Sequence, residues 1–160
     1  MAKIESYKWF EYPIRVQPHH TDYGGVVWHG TYITWLESAR VECLRAAGVP
    51  FDQVVSLGYD LPVVALEVRY RQPLTLGMQA IVKTRLAPVK GVRLNWLYEV
   101  VSIDADEDAH EDANEEMRLC LSAQATLVAV NLRDRKITRP LPAPVNQIIR
   151  QLSDYFNQSD

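Results

Sequence analysis

The sequence predicts an α+β domain in which an antiparallel sheet is covered by one long helix, with a short helix near the C-terminus. Three observations carry this. The stretch "TYITWLESARVECLRAAG" places apolar residues at helical spacing. Five other stretches alternate apolar and polar residues with the period of a half-buried strand. The 160 residues, 48% of them apolar, contain no repeat and no linker long enough to separate domains, so 1–160 reads as one unit with one core.

Each element follows from its residues. In "FEYPIRVQ", Phe10, Tyr12, Ile14 and Val16 share a face, and Pro13 places the strand at an edge or a bulge. The long helix runs from about Tyr32 to Ala47, with Tyr32, Trp35, Leu36, Ala39 and Cys43 on its apolar side. Thr31 suits its N-cap, and Gly48 its C′ position with Pro50 just beyond. Glu37 with Arg40, and Glu42 with Arg45, are spaced to pair. Four strands follow. Their faces are Val64, Leu66, Val68 and Tyr70; Ala80, Val82, Thr84 and Leu86; Val92, Leu94, Trp96, Tyr98 and Val100; and the small-residue alternation of "MRLCLSAQATLVAVNL". "PVKGV" makes a hairpin turn between the middle two. The acidic run 104–116 reads as a solvated, mobile connector. Val145, Ile148, Ile149, Leu152 and Phe156 give an amphipathic helix over about 144–156. Leu97, Val101, Ile103, Val128 and Val130 lie on second faces that one helix cannot cover, so a second subunit is expected.

Composition narrows the function. A net charge of −3 without a basic block argues against nucleic acid as a partner. Cys43 and Cys120 have neither metal-ligand nor disulfide-framework spacing and read as buried free thiols. The N-terminal "MAKIESYKWF" has no apolar signal-peptide core, and no apolar run reaches the roughly 18 residues of a membrane span. A cytoplasmic protein is expected.

The chemistry concentrates in "PHHTDYGGVVWHGTY", residues 18–32. Asp22 is the only carboxylate between Glu11 and Glu37. Gly24 and Gly25 allow a tight turn and close backbone approach. The stretch then enters the helix, whose first turn offers unpaired N–H groups and partial positive charge. Such groups hold an oxyanion, and a carboxylate beside them can act as general base or nucleophile. A thioester suits this equipment, because a thiol of pKa about 8.5 leaves without strong acid help. An amide needs its leaving group protonated.

The residues also carry a resemblance. "TDYGGVVWHGTYITWLESARVECLR" resembles the signature of the 4-hydroxybenzoyl-CoA thioesterase family, in particular its YbgC-like acyl-CoA thioesterase branch. The matching positions are Asp22, Gly25 to His29, Tyr32, Glu37 and Arg40. "VRYRQPLTLGMQAIVKTRL" resembles a later family stretch with a Tyr-x-x-Pro pattern, although Gly77-Met78 stands where the family usually has an acidic residue. The likeness covers about residues 8–132 and omits the acidic connector and terminal helix. It implies a hotdog fold, an antiparallel sheet wrapped around a central helix, assembled as homodimers or homotetramers with sites between subunits. It implies catalytic roles for Asp22 and His29, an amide near His29 that polarises the thioester carbonyl, and a pocket position for Tyr32. Beside these, Trp28 next to the loop is a candidate to line an acyl pocket and Gly25 to let the backbone approach the substrate. No cofactor is implied.

Each candidate has a plainer reading. Asp22 could cap a turn, and Trp28 and Trp35 could be core. His19 and His20 beside Asp22 and His29 invite a metal site, but neighbours on a strand point apart, so none is expected. Arg40 fits an ion pair with Glu37 better than a substrate contact. Arg69, Arg71, Lys83, Arg85, Lys90 and Arg93 are candidates to meet the phosphates of coenzyme A. The sequence thus predicts an acyl-CoA thioesterase acting on an aromatic or a short to medium aliphatic acyl group. Its rival is a non-catalytic acyl-CoA or acyl-carrier-protein binding module.

Overall fold

The computed structural model describes residues 8–103 and 117–158; the acidic run 104–116 lies outside them. The strands are β1 (Phe10–Arg15), β2 (Tyr59–Asp60), β3 (Val63–Tyr70), β4 (Gln79–Leu86), β5 (Leu94–Ser102), β6 (Arg118–Leu127) and β7 (Val130–Asn131). The helices are α1 (His29–Ala46), α2 (Phe51–Ser56) and α3 (Ala143–Asn157). A single 3-10 turn covers Pro18–His20. Five strands form an antiparallel sheet in the order β1-β4-β5-β6-β3, and β2 pairs with β7 apart from it.

The alternation predicted for β4 and β5 is observed. Ala80, Val82, Thr84 and Leu86 are buried, as are Leu94, Trp96, Tyr98 and Val100. The apolar members form one core with Tyr32, Trp35, Leu36, Ala39, Cys43 and Leu44 of α1. Burying a leucine such as Leu36 or Leu44 stabilises by about 1.5–3 kcal/mol. Gly91, at φ +68°, turns the β4–β5 hairpin, and Pro13 lies on edge strand β1, as its missing N–H requires. Cys43 and Cys120 are buried free thiols.

Helix α1 starts three residues earlier than expected, with Trp28 rather than Thr31 at the N-cap. The Thr31 N–H donates to Trp28 C=O at 2.9 Å, which places Thr31 within the first turn. Its hydroxyl donates to His20 C=O at 3.1 Å and ties α1 to the 3-10 turn. The other end matches expectation. Gly48, at φ +82°, donates to Arg45 C=O and Val49 to Leu44 C=O, a Schellman motif. Arg40 is buried, ion-paired with Glu37, and donates to the Tyr98 hydroxyl at 2.9 Å.

The second faces of the sheet differ from expectation at two positions. Val101 and Val128 are buried within the single chain; Val101 follows a register shift in the β5–β6 pairing, and the Val128 N–H donates to Pro62 C=O. The apolar surface left open is instead on edge strand β3, where Val63, Val64, Leu66 and Tyr70 are exposed. Helix α3 buries Val145, Ile148, Leu152 and Phe156 and closes the core over the C-terminal half of α1. Among the described residues, no helix is long and apolar enough to cross a membrane.

Candidate active site

Between β1 and α1 the chain makes a small pinned loop. Thr21 bridges to Val27, Asp22 N–H donates to Val26 C=O at 2.8 Å, and Gly25 N–H donates to Asp22 C=O at 3.1 Å. Gly25 sits at φ +82°, a conformation that makes the reversal and that side chains resist. The loop's second arm is held from outside: Val26 bridges to Thr75, and Val27 N–H donates to Leu74 C=O at 2.9 Å. Trp28 N–H donates to His20 C=O at 3.0 Å, and the helix begins at the next residue.

Asp22 stands at the base of this loop. Its Oδ1 accepts from Gly24 N–H at 2.8 Å and Val26 N–H at 3.3 Å. No described residue donates to Oδ2, and the residue is exposed on the single chain. The turn-capping reading is therefore realised by one oxygen and leaves the other available. The start of α1 carries no side-chain cap. No loop bond engages the His29 or Gly30 N–H, which the helix itself leaves unpaired.

The remaining candidates lie on two sides of this helix start. His29 and Tyr32 line a cleft of about 260 Å³ with Val27, Tyr70, Arg71 and Pro73. Trp28 faces a wider groove of about 600 Å³ that also contains Arg15, His19, His20 and Trp35. Tyr32 is buried, and its hydroxyl accepts the Leu74 N–H at 3.3 Å; burial raises its pKa. It therefore supports the 70–78 segment as well as lining the cleft. Gly25 meets no other residue within reach of an added side chain. Of the cations considered for coenzyme A, Arg71 lines the cleft, while Arg69 pairs with Glu67 at 3.2 Å and Arg85 stacks on the Trp9 ring.

His19 and His20 do not sit on a strand. The 3-10 turn brings their rings within 4.1 Å of each other. His20 is committed structurally, since Nδ1 accepts the Gln17 N–H at 2.9 Å and its ring meets Trp35 edge-on at 5.0 Å. Partial burial lowers its pKa, with a smaller contribution from His19, which favours the neutral acceptor form.

Two residues of the site are not singled out by sequence reasoning. A side chain on Gly30 would collide with the Trp28 ring, whose nearest atom lies 2.2 Å from the position of an added Cβ. Tyr70 donates its hydroxyl to the His29 carbonyl at 3.0 Å and sets its ring edge-on to Tyr32 at 5.6 Å. The only sequence signals are Gly30 inside the helix-start motif and the unexplained Tyr in Tyr-x-x-Pro.

An antiparallel sheet with one long helix on its core face is the arrangement of the hotdog fold. The family model described as "Thioesterase-like superfamily" matches residues 16–149, and the chain belongs to that superfamily. It is 48% identical over 145 residues to the putative esterase sll0410 of Synechocystis, covering 91% of this chain and 81% of that one. It is 28% identical over 95 residues to the acyl-CoA thioester hydrolase YbgC of Escherichia coli O157:H7, covering 59% and 71%. The fold matches that of Slr0204, a 1,4-dihydroxy-2-naphthoyl-CoA thioesterase from Synechocystis, with TM-score 0.71 at 24% identity over 91% of this chain and 98% of that chain.

Proposed function

We propose that this protein hydrolyses the thioester bond of an acyl-CoA, with Asp22 as the catalytic carboxylate. One observation carries the reading: Asp22 keeps an oxygen uncommitted while its loop runs directly into an uncapped helix start. Asp22 takes a proton from water, and the water oxygen attacks the thioester carbon. The first-turn N–H groups at His29 and Gly30 hold the oxyanion that forms. The C–S bond then breaks, and coenzyme A leaves as thiolate. Alternatively the Asp22 carboxylate attacks the thioester carbon, the C–S bond breaks and coenzyme A leaves as thiolate, and water then hydrolyses the resulting acyl anhydride to free the acid and restore Asp22. His29 orients water or substrate, Trp28 and Tyr32 border the acyl group, and Gly25 lets the backbone approach it. The acyl group is aromatic or a short to medium aliphatic chain.

The working site takes shape in a homodimer or a pair of dimers. Strand β3 has an exposed apolar side and, among the described residues, pairs with β6 alone, the features that invite pairing with another chain. A second copy added there places new walls beside the cleft that Tyr70 lines. The free thiols fit a reducing, cytoplasmic setting.

A panel of acyl-CoA thioesters assayed with a thiol-reactive dye tests this. Asn at position 22 keeps an acceptor oxygen for the Gly24 and Val26 N–H groups, so Asp22→Asn preserves the loop and removes only the basicity. Its turnover is expected to fall at least about 100-fold with the oligomer unchanged. Equal, negligible release by wild type and variant, with tight binding in both, would establish the binding-module alternative instead.

A further inference from the structure

The Tyr70 hydroxyl is bonded to the first carbonyl of α1, that of His29, at 3.0 Å. That carbonyl belongs to the same peptide unit as the Gly30 N–H, one of the two unpaired amides at the start of the helix. In an α-helix it is also the acceptor for the N–H four residues on, that of Ile33. It thus accepts two hydrogen bonds where an ordinary helical carbonyl accepts one. Donation to a peptide oxygen draws electron density through the C–N bond and strengthens the N–H at the other end as a donor. The second bond also fixes the tilt of the first peptide plane, where helices fray. The Tyr70 ring is itself steadied edge-on against Tyr32, whose position is set in turn by the Leu74 amide.

We infer that Tyr70 is a positioning residue, which orients and polarises the Gly30 N–H for the oxyanion through the His29 carbonyl. The inference rests on the thioesterase reading above and deepens it. Partial burial raises the Tyr70 pKa, which keeps the hydroxyl protonated and donating. The residue stands on β3, the sheet's open edge, so the oxyanion donor is braced by the strand where a second copy would pair.

The expected effect is modest and specific. An oxyanion-hole donor contributes about 10²–10³-fold to kcat. Cooperative strengthening of about 10–30% per bond makes the tyrosine's share of that roughly 2–8-fold. Tyr70→Phe keeps the ring on Tyr32 and removes only the hydroxyl. With an acyl-CoA that the wild type turns over, kcat is expected to fall by about that factor while KM stays within about 2-fold. The Gly30 amide resonance in a ¹H–¹⁵N spectrum is expected to move upfield. Tyr70→Leu, which also removes the ring, should lose at least as much. Unchanged kcat in Tyr70→Phe, a loss seen only in Tyr70→Leu, or a change confined to KM would overturn the assignment. If no acyl-CoA is turned over by the wild type, or Asp22→Asn remains active, the thioesterase reading fails and takes this inference with it. If Asp22→Asn is inactive and Tyr70→Phe is normal, this inference alone fails.

Discussion

Gly30→Ala sets a general rule against a particular contact. In a helix, Ala is favoured over Gly by about 0.5–1 kcal/mol, so the substitution would ordinarily stabilise. Here the added methyl would lie 2.2, 2.5 and 2.7 Å from three carbons of the Trp28 ring. Trp28 is 51% exposed, so the ring has somewhere to go, and it swings off the helix. A large aromatic side chain fully buried covers about 150–250 Å². Roughly half of that, at about 25 cal/mol per Å², is worth about 2–3 kcal/mol as an upper bound. Setting the alanine gain against this leaves a net loss of about 1–2 kcal/mol. The assay is urea unfolding followed by intrinsic fluorescence, with a red shift in the native spectrum reporting the displaced indole. The same substitution in a Trp28→Ala background should recover the ordinary gain of about 0.5–1 kcal/mol, so the double-mutant cycle isolates the contact. Stabilisation in the wild-type background without any spectral shift would refute the reasoning.

Two more perturbations follow from other regions of the molecule. Burial holds the Cys43 thiol up at about 12, whereas an unfolded chain ionises it near about 8.5; the unfolded state therefore binds fewer protons in between, and stability falls as pH rises from about 9 toward 12, by up to about 1.4 kcal/mol per unit. The buried Tyr32 and Tyr98 hydroxyls, also raised, add the same sign at the alkaline end, so unfolding midpoints of wild type and Cys43→Ala should converge with rising pH; parallel curves would count against it. The double substitution Val64→Lys with Leu66→Lys places two charges on exposed β3 positions and is expected to yield folded monomer in sedimentation; an unchanged oligomer would move the interface elsewhere.

Much of the fold is legible in the sequence because β4 and β5 each bury one face against a single partner, so Ala80, Val82, Leu94 and Trp96 repeat with an unbroken period. Helix α2 is not legible, because six residues, "FDQVVS", are too few to display a stripe, and only Val54 is buried. The start of α1 differs from expectation because Thr31 has the chemistry of an N-cap while Trp28 has the position, which is set by its N–H bond to His20 C=O. Val101 and Val128 are already buried in the single chain, a tertiary outcome that strand alternation does not display. Asp22 is legible because the glycines beside it and the helix after it are local. The contributions of Gly30 and Tyr70 are not, since one depends on where a ring folds back and the other on a contact spanning forty-one positions of chain.

Helix α1, at 18 residues, is about 27 Å long, with the Asp22 loop at one tip and α3 packed over the half that leads to the other. Changes made near Leu152 or Phe156 to raise heat tolerance should therefore combine additively with changes that retune chemistry near Gly30. The two ends of that helix are separate workbenches, and a designer can alter one without recalibrating the other.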